Sequence, residues 1–340
     1  MHKQKAAMIA KHLLEAVKRE IQQRQNFIIT THVNPDGDGL GSQAALARYL
    51  RSDRGGKKTV HVLNSNPTPP NYAFLDPNGD VEVFDARRHS HIVNDAQVVF
   101  ILDISDWERL RDLGKTIRPS NLRTVCIDHH PADKSFADID LIYPKASSTG
   151  ELVYELLSAL GAIIDQKTAE ALYTALLTDT GGFRFSNTSS HTHDVVARLI
   201  EAGASPQTVY QNVYESQSPA KVRLFAKALD SLNFEIDGRL VWFAISQNMI
   251  RETGAQPRDA EGFADYPRSI NGVEVSLMFL ETENGKVKVS FRSKGRHVVN
   301  GLANRFGGGG HAFAAGALME GPLAEAINIV LNEAKELFVH

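Results

Sequence analysis

Four clusters of acidic or histidine residues, each placed where an apolar run ends, carry the chemistry of this chain: His32-Val33-Asn34-Pro35-Asp36-Gly37-Asp38, then Asp103, then Asp128-His129-His130, then Asp179. Carboxylates and imidazoles grouped without thiolates suit divalent cations such as Mn²⁺, whereas a thiolate-rich set would point to structural zinc or iron–sulfur. Taken together the clusters read as a two-metal site. The chemistry expected of such a site is hydrolysis of a phosphate ester.

These side chains act together only if the fold gathers them. The first half of the chain alternates apolar strands with amphipathic helical stretches, the pattern of an α/β domain whose parallel sheet is covered by helices on both faces. Four strands are expected: 27–31 running into His32, 59–63 after a Gly55-Gly56 break, 98–102 running into Asp103, and 124–127 running into Asp128. Ligands of open α/β sheets bind beyond the carboxyl ends of the strands, so three of the clusters should converge there. Helices fill the gaps, over 4–23 and over 39–49, the latter turning Leu40, Ala44, Leu46 and Leu50 to the sheet. Ser148 and Glu151 have capping-box spacing before a helix that Gly161 stops, and a helix over 168–177 delivers Asp179.

At 340 residues the chain exceeds what one core usually holds, which points to two domains. The boundaries expected are 1–190 for a catalytic domain, 191–230 for a helical connector and 231–340 for a smaller α+β substrate-binding domain. That last domain is marked by hairpin turns at Asp237-Gly238 and Asn284-Gly285. A net charge of −3 argues against a positive coat for long nucleic acid, so a nucleic substrate should be short. The single cysteine, Cys126, sits in an apolar run and fits a core role in a reducing cytosol, hence a cytoplasmic protein. No signal peptide is visible in Met1–Ala10, and no run reaches membrane-spanning length. Whether an exposed helix face supports a homodimer is left open.

The four clusters resemble the four motifs of the DHH phosphoesterase superfamily. Gly307-Gly308-Gly309-Gly310-His311, followed by Ala314-Ala315-Gly316, resembles the glycine-rich signature of the DHH-associated C-terminal domain, so the likeness spans nearly the whole chain. Among the superfamily's members the chain is most similar to bacterial ones that degrade short RNA oligonucleotides and dephosphorylate 3′-phosphoadenosine 5′-phosphate (pAp). The resemblance implies that His32 and Asp36 hold one metal, that Asp38, His129 and Asp179 hold the other, and that Asp103 bridges them. It further implies two divalent cations, Mn²⁺ foremost, and a hydroxide between them as nucleophile. Two other enzymes share the motifs, a linear or cyclic dinucleotide phosphodiesterase and a manganese inorganic pyrophosphatase. A nucleotide-binding regulator with a dead site is the alternative from another class, disfavoured because every proposed ligand is present.

Around these ligands, Asp128 and Asn34 are expected to orient a metal-bound side chain, and His130 to reach a phosphate oxygen or the leaving group. Gly37 and Gly39 are expected as tight bends that aim Asp36 and Asp38 at different ions, with Gly41-Ser42 opening a helix. For substrate, the interval Asn284–Met319 holds six lysines or arginines and no acid. Arg292 and Arg305 are the best candidates there, joined by Gly308, Gly309, Gly310 and His311, where backbone N–H groups can approach a phosphate. Arg184, close after Asp179, is a third candidate for bidentate phosphate binding. Phe183 and Phe185 are expected to pack, and His89, His91, His191 and His193 to lie in solvated loops.

Overall fold

The computed structural model describes residues 9–339 apart from 53, 55 and 133. The break expected at Gly55 and the start of the helix expected from Gln4 lie outside these. The chain divides into two compact units, one running to Ser216 and the other starting at Gln217.

Six parallel strands form the first unit's sheet: β1 (Asn26–Thr31), β2 (Thr59–Asn64), β3 (Val81–Val83), β4 (Val98–Leu102), β5 (Arg123–Asp128) and β6 (Ile139–Ile142). Their order is β3-β2-β1-β4-β5-β6. The α/β architecture is thus the expected one, and β1, β2, β4 and β5 begin and end within one residue of expectation. Every residue of β4, and of β1 from Phe27 on, is buried, which is why these strands read as unbroken apolar runs instead of alternating ones. Around the sheet lie α1 (Lys11–Gln23), α2 (Gly37–Arg51), α3 (Ala86–Asp95), α4 (Arg111–Ile117), α5 (Thr149–Ala159), α6 (Gln166–Asp179), α7 (Ser190–Glu201) and α8 (Pro206–Tyr214). Alternate residues of β1 feed opposite faces. Phe27 and Ile29 join Leu46 and Leu50 of α2 and Leu172 and Leu176 of α6, while Ile28 joins Ile92 of α3 and Leu113 of α4. Cys126 is fully buried in β5, its Sγ 3.4 Å from the Ile104 carbonyl oxygen.

Several local expectations are corrected. Gly37 and Gly39 are ordinary residues of the first turn of α2, not bends, and that helix starts at Asp36-Gly37 and not at Gly41. What these positions require is absence of bulk: a Cβ on Gly41 would come within 2.3 Å of the Ala171 carbonyl oxygen of α6. His89 is buried in α3, accepting from the Asp85 backbone N–H at 2.9 Å and lying 3.3 Å from Glu82, so it is a satisfied core histidine. His91 is helical too, and His191 and His193 belong to α7, with His191 Nε2 2.8 Å from Glu155.

The expected connector is divided by the unit boundary, because its apolar faces are claimed on both sides. Val195 and Leu199 of α7 and Val209 and Val213 of α8 complete the first unit's core. Leu224 and Ala228 of α9 (Pro219–Asp230) belong to the second. That unit adds β7 (Asn233–Glu235), β8 (Leu240–Ile245), α10 (Gln247–Thr253), β9 (Val275–Glu281), β10 (Val287–Ser293), α11 (Asn300–Arg305), β11 (Gly309–His311), β12 (Ala314–Met319) and α12 (Leu323–Lys335). Its mixed sheet runs β11-β12-β10-β9-β8-β7, with antiparallel hairpins β7–β8 and β9–β10 at the two expected turns.

Candidate metal centre

The strand order reverses between β1 and β4, and such a switch point opens a crevice at the carboxyl ends of the strands. Thr31 is paired with Leu102 at the last rung, so the next residues, His32 and Asp103, emerge side by side. His32 Nε2 is 3.5 Å from Asp103 Oδ2 and 3.7 Å from Asp36 Oδ1. The His32 Nδ1–H donates to the Val33 carbonyl at 2.8 Å, which turns Nε2 toward the carboxylates. Asp36 caps α2, accepting from the backbone N–H groups of Asp38 and Gly39, yet its side chain stays 54% exposed.

Asp38, two residues further on, is buried beneath this layer. Its two oxygens accept from the N–H groups of Thr149 (2.7 Å) and Gly150 (2.8 Å), the N-terminus of α5, where the helix dipole favours a carboxylate. Asp179 ends α6, and His129 follows β5. His129 Nε2 lies 3.7 Å from Asp38 Oδ2, 3.5 Å from Asp179 Oδ2 and 3.7 Å from Asp103 Oδ1. Asp103 therefore turns one oxygen to His32 and the other to His129. Among the described residues the expected ligands form two donor groups, His32/Asp36/Asp103 and Asp38/His129/Asp179, each with its atoms within 4.8 Å of one another, and Asp103, His129 and His130 form a third of the same kind.

This donor set fits divalent cations. Among the described residues His129 Nε2, which is buried, makes no hydrogen bond, though three carboxylate oxygens surround it. Donors bound at about 2.0–2.2 Å to one ion stand roughly 3–3.5 Å apart, close to the spacings found. The carboxylates are also crowded. Burial, and then the Asp103 charge, raise Asp38 well above the usual carboxylate range and push Asp179 up to about 7. Burial lowers His32, but Asp103 and Asp36 outweigh it and hold the ring up to about 10. A cluster this short of positive charge is relieved by cations.

The neighbours of the donors differ in part from expectation. Asp128 orients His130 and not His129, because its Oδ1 accepts both the His130 N–H (3.1 Å) and Nδ1–H (2.8 Å) across a two-residue turn. His129 is held instead by a hydrogen bond to the Ala146 backbone. Asn34 shapes the loop through its backbone, at φ 55° and with its N–H on Asn66 Oδ1 at 2.9 Å, and its side chain is exposed. Asp103 adopts φ 61°, a left-handed conformation that asparagine and aspartate tolerate best among non-glycine residues. Two supporting residues were missed. Thr149 donates its hydroxyl to Asp103 Oδ1 at 3.0 Å, and Asn187 Nδ2 donates to Asp179 Oδ2 at 3.3 Å and to the Ser147 carbonyl at 2.8 Å. The cap Ser148 signalled the helix end that bears Thr149; nothing in the sequence around Asn187 distinguishes it from loop.

The expected substrate residues fall into two groups. Arg184 is exposed in the turn after α6 and, among the described residues, pairs with no carboxylate. Arg292 is engaged by Asp265 at 3.0 Å, and Arg305 by Glu333 and Glu336, so both guanidinium groups brace the second unit. The glycine run is an edge strand, not an open loop: Gly309, Gly310 and His311 pair with Gly316, Ala315 and Ala314. A Cβ on Gly308 would meet the Gly316 carbonyl oxygen at 2.1 Å, so close strand approach accounts for that glycine. His311 is exposed at the edge.

Residues 26–176 match the DHH family, N-terminal domain, and residues 240–340 match the DHHA1 domain. The bifunctional oligoribonuclease and PAP phosphatase NrnA of Bacillus subtilis is 30% identical over 302 residues, 88% of this chain and 91% of that protein. The chain belongs to the DHH family. The protein of the same name from Thermus thermophilus is 30% identical over 309 residues, 91% of this chain and 89% of its own. A crystal structure of an exopolyphosphatase-related protein from Bacteroides fragilis matches with a TM-score of 0.92 at 28% identity, covering 97% of both chains. As a DHH-family member the chain is a phosphoesterase, and its acidic and histidine groups could hold metal ions.

Proposed function

We propose that this chain is a cytoplasmic, manganese-dependent phosphohydrolase that degrades short RNA oligonucleotides to mononucleotides and removes a phosphate from pAp. The observation that carries this reading is the pair of thiolate-free donor groups sharing Asp103 at the switch point of the sheet. Relatives that align along about nine tenths of the chain and bear the oligoribonuclease and PAP phosphatase name supply the substrate class. His32 and Asp36 would hold one cation, Asp38, His129 and Asp179 the other, and Asp103 both. Divalent cations supply Lewis-acid stabilisation of the charge that develops on the phosphoryl oxygens.

The remaining work falls to side chains. Asp128 fixes the His130 ring through Nδ1, at the rim of the donor groups, where it would meet a phosphoryl or leaving-group oxygen. The α5 N-terminus and Thr149 hold Asp38 and Asp103 in place before substrate arrives, so little reorganisation is needed on binding. Arg184 offers an uncommitted fork to a second phosphate, and Gly309 with His311 offers an exposed edge to a nucleotide. The sole thiol, Cys126, is buried, as suits a reducing compartment.

Incubation with MnCl2 and a panel of two- to ten-nucleotide RNAs, pAp, dinucleotides and pyrophosphate tests the reading. The expected products are mononucleotides from RNA and AMP from pAp, both lost in Asp103→Ala. Hydrolysis of pyrophosphate alone, or turnover that survives Asp103→Ala, would refute it.

A further inference from the structure

Beside the donor groups lies a surface that neither matched domain contains, since it falls in the interval between residues 176 and 240. Gly181, Gly182 and Phe183 all have positive φ (58°, 73° and 65°), which winds the chain into a tight turn directly after Asp179. The N–H groups of Arg184 and Phe185 both return to the Thr180 carbonyl. Phe183 goes inward against Tyr173, as expected. Phe185 does not. Its ring covers Gly181, where a Cβ would meet Cζ at 2.4 Å, and it is 41% exposed. Two residues later Asn187 donates to Asp179, so the ring belongs to the same turn as a residue that holds a candidate ligand.

Arg184 lies over that ring, its guanidinium carbon 5.4 Å from the centroid. Tyr214, at the end of α8, is 37% exposed, and burial raises its hydroxyl while the Arg184 charge opposes the rise. Tyr210, 48% exposed, is 5.0 Å from Tyr214, ring to ring. An exposed aromatic ring beside a cation that, among the described residues, pairs with no carboxylate serves single-stranded nucleic acid well, because every base has a face to stack and every linkage a charge.

We infer that Phe185 forms a stacking platform for the nucleobase next to the cleaved bond of a short single-stranded oligonucleotide, with Arg184 on that nucleotide's outer phosphate. This deepens, and rests on, the reading of the chain as an RNA hydrolase. Stacking of this kind is indifferent to base identity, so the platform would accept all four bases and yet demand that a base be there.

Base removal and side-chain removal should therefore not add. With wild-type protein, kcat/KM for diadenylate should fall roughly tenfold when one base, that on the platform side, is replaced by an abasic ribose. Phe185→Ala should lose about as much on diadenylate, chiefly in KM, and lose much less on the abasic substrate, with Phe185→Tyr restoring most of it. Equal fractional losses on both substrates would overturn the platform. A binding measurement separates its failure from that of the RNA hydrolase reading: diadenylate should quench Phe185→Trp fluorescence in an Asp103→Asn background whether or not the wild type cuts RNA. Absence of quenching at millimolar diadenylate would overturn the platform even where RNA is cleaved.

Discussion

Asp179 is held from behind. Asn187 donates to its carboxylate and its carbonyl and also to Ser147, tying the end of α6 to the segment before α5. A side chain that orients a ligand without being one typically changes affinity by about 10–100-fold when lost, so Asn187→Ala should weaken Mn²⁺ binding by about that factor in calorimetric titration. Its circular dichroism should match the wild type. The candidate ligands themselves were readable as acids and histidines at the ends of apolar runs, because a buried strand announces where it stops. Asn187 was not readable: its partners are 8 and 40 residues away, and Ser186-Asn187-Thr188 has the composition of any loop. The paired histidines misled for a similar reason, since the carboxylates that satisfy His89 and His191 lie on other elements.

Helix α2 carries Asp38 on its first turn and must lie close against α6 for that carboxylate to meet His129 and Asp179. Gly41 sets the approach. Gly41→Ala should destabilise the first unit by about 1–3 kcal/mol through overpacking, measured as a lower urea midpoint at unchanged slope. Activity should fall with it, since moving α2 outward moves Asp38 off the N-terminus of α5. The four central strands were readable from apolar runs, whereas β3 and β6 were not: both are short, partly exposed edges whose residues give no such run. The glycine-rich segment reads as a backbone approach to phosphate with no strand signal, because glycine weakens one, yet β12 needs a neighbour without side chains on that face.

Both domains could be foreseen, but the place of the boundary could not, because the amphipathic periodicity of α7, α8 and α9 says that each buries a face and not whose core receives it. Each unit has a hydrophobic core of its own. All six candidate ligands belong to the first. Calorimetry with MnCl2 should therefore raise the transition of that unit, by about 2.7 kcal/mol at a hundredfold excess over Kd, and leave the second where it was. A shift of both transitions, or of neither, would count against the ligand assignment. The donors also span most of the first unit in sequence, from His32 to Asp179. During synthesis the ribosome releases them in that order, so a nascent chain lacks a complete donor set until the close of α6 has emerged. The half-made protein is thereby spared a working phosphoesterase centre before its fold is complete.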